Sequence, residues 1–322
     1  MTIKPIRSLA SPAKGEVRFF QKEATPPRSK KLWMAAIKPP MYSVAIMPIA
    51  LGTAIAFYQT EALHLPIFLL FLVSAILILA WENITNDVFD SDTGIDKNKH
   101  HSLVNLTGNR RLVFMIGNLC LTLGVLGIGA IALLQRDTTV LQLILACCAL
   151  GYLYQGPPFR LGYLGLGEVL CFFAFGPLAV QAAYYSQAQH FSGMALAASV
   201  ILGITTSLVL FCSHFHQVND DIAAGKRSPI VRLGTQRGAA LLPWICSSVF
   251  FLAGLFLGFQ IFPLWTLLIL LSTPPAVQLC KHVWRFHNHP DKVSNCKFIA
   301  VAFHFWSGVL LCAGFAIAAL ST

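Results

Sequence analysis

Residues 66 to 90 read Pro66-Ile67-Phe68-Leu69-Leu70-Phe71-Leu72-Val73-Ser74-Ala75-Ile76-Leu77-Ile78-Leu79-Ala80-Trp81-Glu82-Asn83-Ile84-Thr85-Asn86-Asp87-Val88-Phe89-Asp90. No charge interrupts the stretch from Pro66 to Trp81, and oxygen-bearing side chains then crowd together. A helix of about 20 apolar residues crosses the hydrocarbon core of a bilayer. Lipid offers no partner to backbone N–H and C=O groups, and the run lacks the alternation of a barrel strand, so it must be a helix.

The same pattern recurs near 39–58, 112–134, 139–155, 166–186, 193–213, 239–259, 263–283 and 297–320. With 66–86 these runs predict an all-α, polytopic integral membrane protein of nine transmembrane helices. The 139–155 run is short, and 39–58 opens on Pro39-Pro40. Hydrophobic residues make up 56% of the chain and charged ones 11%, far from the roughly 25% charged residues of a soluble domain. Net charge is +10, and on the nine-helix reading 22 of the 23 Lys and Arg fall on one side, Arg136 alone on the other. Basic loops stay cytoplasmic, so the N-terminus is expected inside and the C-terminus outside. No soluble basic domain exists to bind nucleic acid; the excess charge points to lipid and to an anionic substrate. Residues 1–31 read as a basic, disordered cytoplasmic tail and 32–322 as the membrane domain. The nine cysteines lie mostly in apolar segments without a CxxC, as packing residues.

Carboxylates at helix depth are expensive and therefore mark functional sites. If the second helix runs on to Asp90, then Asn83, Asp87 and Asp90 share one face at i, i+4 and i+7. Asp92 and Asp96 follow. The end of the sixth helix carries His214, His216, Gln217, Asn219, Asp220 and Asp221 before Gly225-Lys226-Arg227. Such oxygen ligands suit Mg²⁺, which binds through one or two carboxylates together with substrate phosphates. Lys and Arg nearby make a phosphorylated substrate the simplest missing partner. Acids beyond a membrane helix are ordinarily solvated loop charges, but two acidic groups at the same side, each followed by bases, argue for a site. His214 and His216 lack a zinc-type ligand set, and support or packing roles are expected of them. Tyr152, Tyr154 and Phe159 flank Gly156-Pro157-Pro158, as an interfacial aromatic belt or as a wall for a ring or cation. A cation transporter would spread its acids across the bilayer depth, whereas only Glu82 and Glu168 lie inside a helix here.

The Asn83-x-x-Asn86-Asp87-x-x-Asp90 segment, the Pro-rich turn with Arg160, the acidic end of the sixth helix and the helix number together resemble the UbiA superfamily of intramembrane aromatic prenyltransferases. The runs 86–96 and 224–234 are similar to its 1,4-dihydroxy-2-naphthoate (MenA-type) group. His214-Phe215-His216-Gln217 with Lys226-Arg227-Ser228-Pro229 is similar to the form of photosynthetic organisms, whose donor is phytyl diphosphate. The superfamily's third acid would stand at Gly94; the naphthoate group has it at Asp96. Many naphthoate enzymes carry Asp where this chain has Gln217.

The resemblance implies prenyl transfer to a naphthoate, with loss of CO2 and diphosphate, in phylloquinone or menaquinone biosynthesis. Other acceptors of the same superfamily are homogentisate, 4-hydroxybenzoate and tetrapyrroles. It implies one Mg²⁺ at Asp87 and Asp90 with Asn83 and Asp96, and a second at Asp221 with Gln217 or Asp220. Asp87, Asp90 and Asp221 would be the catalytic acids. Lys226, Arg227, Lys38, Arg110 and Arg160 would hold the diphosphate. The membrane would be a bacterial plasma membrane or a thylakoid, with the site on the cytoplasmic side. No protein partner is implied.

Overall fold

The computed structural model describes residues 30–93, 95 and 102–321; Asp96 and the tail before Lys30 lie outside it. The described residues form helices and no strands. Eight helical segments are long and apolar enough to cross a membrane, and Thr139–Gln155 is a shorter apolar helix of 17 residues. We label the nine α1 Ser43–Thr60, α2 Leu65–Thr93, α3 Arg110–Gln135, α4 Thr139–Gln155, α5 Gly167–Ala188, α6 Gly193–Ser213, α7 Thr235–Gly258, α8 Leu264–Phe286 and α9 Cys296–Ser321.

Local chemistry sets the ends of these helices. Pro39 and Pro40 break the chain between a short helix, Lys30–Ile37, and α1, leaving Lys38 in the left-handed region at φ 52°. Asn109 caps α3 by accepting from Leu112 N–H at 3.0 Å, and Ser192 caps α6 through Ala195 N–H at 3.2 Å. Inside α5, Ala174–Leu178 forms a π-helical turn around Pro177, whose missing N–H cannot continue the ladder. The first nine residues of α8 are a 3-10 helix that yields to α-helix just ahead of Pro274 and Pro275. α2 outruns the apolar stretch by two turns and carries its polar residues as helix to Thr93.

Burial separates an inner from an outer ring. In the apolar window of α6 67% of the residues are buried, against 22% for α2, α3 and α7. α6, α1 and α9 pack around the large core that includes Leu51, Ile55, Leu202, Phe303 and Phe315. Small residues permit the close crossings expected where lipid supplies no hydrophobic drive. A Cβ on Gly52 would lie 2.5 Å from the Val180 carbonyl oxygen and 2.6 Å from Ala183 Cβ, and one on Gly314 would lie 2.6 Å from the Trp265 carbonyl oxygen. Successive helices run up and down, so the α2–α3, α4–α5, α6–α7 and α8–α9 connections share one end of the bundle.

Gly52→Ala is expected to cost about 1–3 kcal/mol through overpacking, lowering the thermal unfolding midpoint in detergent. Gly129→Ala meets nothing within 4 Å and is expected to leave the midpoint unchanged.

Candidate active site

One cavity of about 1060 Å³ opens at that end and descends into the bundle. It is at or above the upper end of the roughly 300–1,000 Å³ usual for small-molecule sites. A stripe of α2 runs along it, Phe71, Ala75, Ile78, Glu82, Asn86 and Asp90, with Leu79, Trp81 and Asn83 beside it. These positions recur every three or four residues and so lie above one another on the helix. At 1.5 Å per residue, Asp90 stands about 28 Å above Phe71. The stripe is polar at the mouth and apolar below Glu82. Phe71, Ile49, Ile144 and Ala179, all buried, close the floor.

At the mouth, Asn83, Asn86 and Asp90 on α2 border the same cavity as His214, His216, Gln217 and Asp220 after α6. Lys38, Lys226 and Lys297 line it as well. The two acidic segments therefore meet, although 130 residues separate Asp90 from Asp220. Asp87 and Asp221 stand behind this surface. Asp87, 1% exposed, accepts from Leu103 N–H at 2.9 Å and sits 3.9 Å from Lys38 Nζ. Asp221, fully buried, accepts from Ser228 Oγ at 2.7 Å and pairs with His214 Nδ1 at 3.1 Å. Lys226 Nζ approaches its other oxygen to 3.6 Å, an ion pair without a hydrogen bond. His214 Nε2 in turn lies 3.4 Å from Glu168 Oε1.

Lys226 is aimed by the loop that carries it. Gly225 takes φ +72°, which glycine adopts without steric cost, and Lys226 N–H returns to the Asp221 carbonyl oxygen at 2.8 Å. Its ammonium lies 5.7 Å from the Tyr163 ring centroid, within cation–π range. Tyr163 OH donates to Asp90 Oδ1 at 3.3 Å and contacts Thr93 Oγ1 at 2.7 Å. Burial, and then the charge of Asp90, raise the Tyr163 pKa, keeping the hydroxyl a donor. The two loops interlock: Arg227 N–H donates to the Tyr163 carbonyl oxygen at 2.8 Å, and Arg232 Nη2 to that of Leu164 at 2.6 Å.

The remaining predicted residues divide. Tyr154 lines the cavity and packs on Gly162 and Gly167. Tyr152 is half-exposed outside it, donating to the Pro157 carbonyl oxygen, and Phe159 is exposed. Arg160 does not border the cavity; its Nε is buried without a hydrogen bond. Arg227 is exposed, and Arg110 is paired at 2.6 Å with Asp92 on the surface. The sequence reading gave Tyr163, Asn86 and Lys297 no role at the site. Asn86 was legible from its spacing to Asp90; Lys297 looked like one more orienting charge.

The sequence profile of the UbiA prenyltransferase family matches residues 45–319. The chain belongs to that family. Among its UbiA relatives, the Synechocystis 2-carboxy-1,4-naphthoquinone phytyltransferase is 56% identical over 297 residues, covering 92% of this chain and 97% of the relative. The chloroplastic 2-carboxy-1,4-naphthoquinone phytyltransferase of Arabidopsis thaliana is 41% identical, over 97% of this chain and 84% of the relative. The solved structure of a UbiA homolog from Archaeoglobus fulgidus bound to GPP and Mg2+ shares the fold at a TM-score of 0.57 and 16% identity, covering 87% of this chain and 99% of that one.

The buried pair yields a pH dependence. Burial alone would lower the His214 pKa, but its contacts with Asp221 and Glu168 outweigh it and raise the value above 6.5. Burial would raise Asp221, but His214 and Lys226 outweigh it and lower the value below 3.8. The histidine's contribution is complete below 6.5 and lost as pH rises through its folded value; the carboxylate's is complete above 3.8 and lost as pH falls through its own. Thermal stability in detergent is expected to decline as pH rises from 6.5 through the folded His214 pKa, and His214→Asn to remove that part of the decline. Superimposable pH profiles would refute the coupling.

Proposed function

We propose that this membrane protein transfers a prenyl group from its diphosphate to a naphthoate ring, with phytyl diphosphate as donor, in quinone biosynthesis. The observation that carries the reading is one cavity graded from metal-type oxygen ligands and lysines at its mouth to hydrocarbon at its floor. A long-chain diphosphate has the same gradient. The names of the 56% and 41% identical phytyltransferases support donor and acceptor class alike.

The oxygen ligands fit a divalent ion. They are hard and they are few, and Asn83 Nδ2, a donor buried without a hydrogen-bond partner, suits a phosphate oxygen beside the ion. No group of three or more His, Cys, Asp or Glu converges among the described residues, as expected where substrate phosphates complete the coordination. Asp90, Asn86 and Asn83, with Asp87 directly behind, would hold one Mg²⁺; Asp220 and Gln217, with Asp221 behind, would hold a second. Mg²⁺ bound there would neutralise charge developing on the leaving diphosphate. Lys38, Lys226 and Lys297 take the remaining phosphate oxygens, and Tyr163 and Asp221 keep Lys226 turned toward them. The allylic C–O bond breaks with its electron pair on the diphosphate, the ring carbon bonds the allylic carbon, and the carboxyl leaves as CO2. Apolar walls keep water from the cation, and the π face of Tyr154 favours it. Basic loops at the cavity mouth support a site on the cytoplasmic side of a plasma or thylakoid membrane.

The purified protein, given phytyl diphosphate and dihydroxynaphthoate, is expected to yield the decarboxylated phytyl product, identified by mass. Asp90→Ala is expected to lower kcat/KM by on the order of 10²-fold or more. Chelation is expected to stop turnover, and added Mg²⁺ to restore it. Turnover indifferent to both would overturn the reading.

A further inference from the structure

The apolar chamber below Glu82 has a closed end. Phe71 of α2, Ile49 of α1, Ile144 of α4 and Ala179 of α5 border the cavity there, and none is more than 8% exposed. Phe71 and Ile49 belong to one apolar cluster with Ile128 of α3, Val140 of α4 and Ala183 of α5, so five helices back the floor. Beneath Phe71, α2 has about 9 Å left before its first residue, Leu65. The polar end of the bundle begins at once below that, where His64 N–H donates to Gln187. A linear chain that enters at the mouth and descends along α2 therefore ends at Phe71.

From Asn86 at the mouth to Phe71 the stripe falls about 22 Å, at 1.5 Å per residue. Its steps, from Asn86 to Glu82, Ile78, Ala75 and Phe71, each cover three or four residues and so about 4.5–6 Å. An isoprene unit adds four carbon–carbon bonds to a chain. With bonds of about 1.5 Å and angles of about 111°, it advances roughly 5 Å when extended. Four units, about 20 Å on that geometry, span the distance, and a fifth meets the Phe71 ring. We propose that this floor measures the donor: Phe71 stops any tail longer than four isoprene units. The reacting unit then lies between Asn86 and Glu82, and the other three fill the apolar chamber. Ala75, the smallest side chain of the stripe, leaves room for the last of them. A tail that left sideways between helices into lipid would meet no such limit. This inference rests on the prenyl-transfer reading and adds an upper bound on donor length and the residues that set it.

The test compares kcat/KM of the purified protein for farnesyl, geranylgeranyl and geranylfarnesyl diphosphates, donors of three, four and five units, with dihydroxynaphthoate as acceptor. Wild type is expected to prefer four units, with the five-unit donor about 10- to 200-fold poorer. The three-unit donor is expected to fall as well, because it gives up one unit of apolar contact. Phe71→Ala is expected to raise the five-to-four ratio by about tenfold or more. Ala75→Phe, which fills the last level of the chamber, is expected to turn the preference from four units to three. Each ratio is taken within one protein, so a general loss of activity cancels. Should Phe71→Ala not fold, Phe71→Leu and Ala75→Phe carry the comparison. Equal use of four- and five-unit donors by wild type, or ratios unchanged in the folded variants, overturns the inference. No transfer by wild type from any donor overturns the prenyl-transfer reading instead.

Discussion

Hydrocarbon cannot hydrogen-bond, and many polar groups of the described residues are placed in answer to that. Hydroxyls within the helices turn back on their own backbone: Ser74 to Leu70, Thr85 to Trp81, Thr205 and Thr206 to Leu202. At the end of the bundle away from the cavity mouth, amides do the work. Gln181 donates to the Ser192 carbonyl oxygen, Gln135 to that of Ser186, and Gln187 accepts from His64 N–H. Asn83 Nδ2 and Gln155 Oε1, on residues that line the cavity, are buried without a hydrogen-bond partner, and a ligand there can meet them.

Two loops build the mouth, and neither has its form alone. The 161–165 turn supplies Tyr163 and two backbone carbonyls; the 225–232 turn supplies Lys226, Arg227 and Arg232. Behind them His214, Asp221 and Lys226 form a buried charged cluster. Such clusters often add little net stability, because desolvation offsets the attraction. Here the return is geometric: a long, flexible lysine is held in one direction.

Much of this was legible in the sequence, for definite reasons. Apolar runs report helices in lipid because the bilayer leaves the backbone no alternative, and 139–155 proved to be the short helix its length suggested. The spacing of Asn83, Asp87 and Asp90 pointed to the end of α2 that borders the cavity mouth. It did not tell which of them faces inward: a step of three from Asn83 reaches the cavity at Asn86, whereas the step of four to Asp87 ends behind it, against Leu103 and Lys38. Tyr152, Tyr154 and Phe159 read alike, but only Tyr154 lines the cavity, its ring on Gly162 and Gly167, whereas the Tyr152 ring lies on Gly156 outside it. Tyr163 and Lys297 reach the site through tertiary packing, which no local pattern encodes. Glu82 stood out from the start as an acid out of place.

The polarity gradient along α2 also bears on what happens after the bond forms. The donor enters as an amphiphile that matches both ends of the cavity. The proposed reaction divides it into a diphosphate with no hydrocarbon and a prenyl group joined to a ring that has lost its carboxylate. Each product matches only half of the chamber that held its parent: the mouth passes one to water, and the apolar walls have no further hold on the other that lipid cannot equal. One graded compartment thus sends the diphosphate and the prenylated ring into different solvents, and their separation, like the loss of CO2, opposes the reverse reaction.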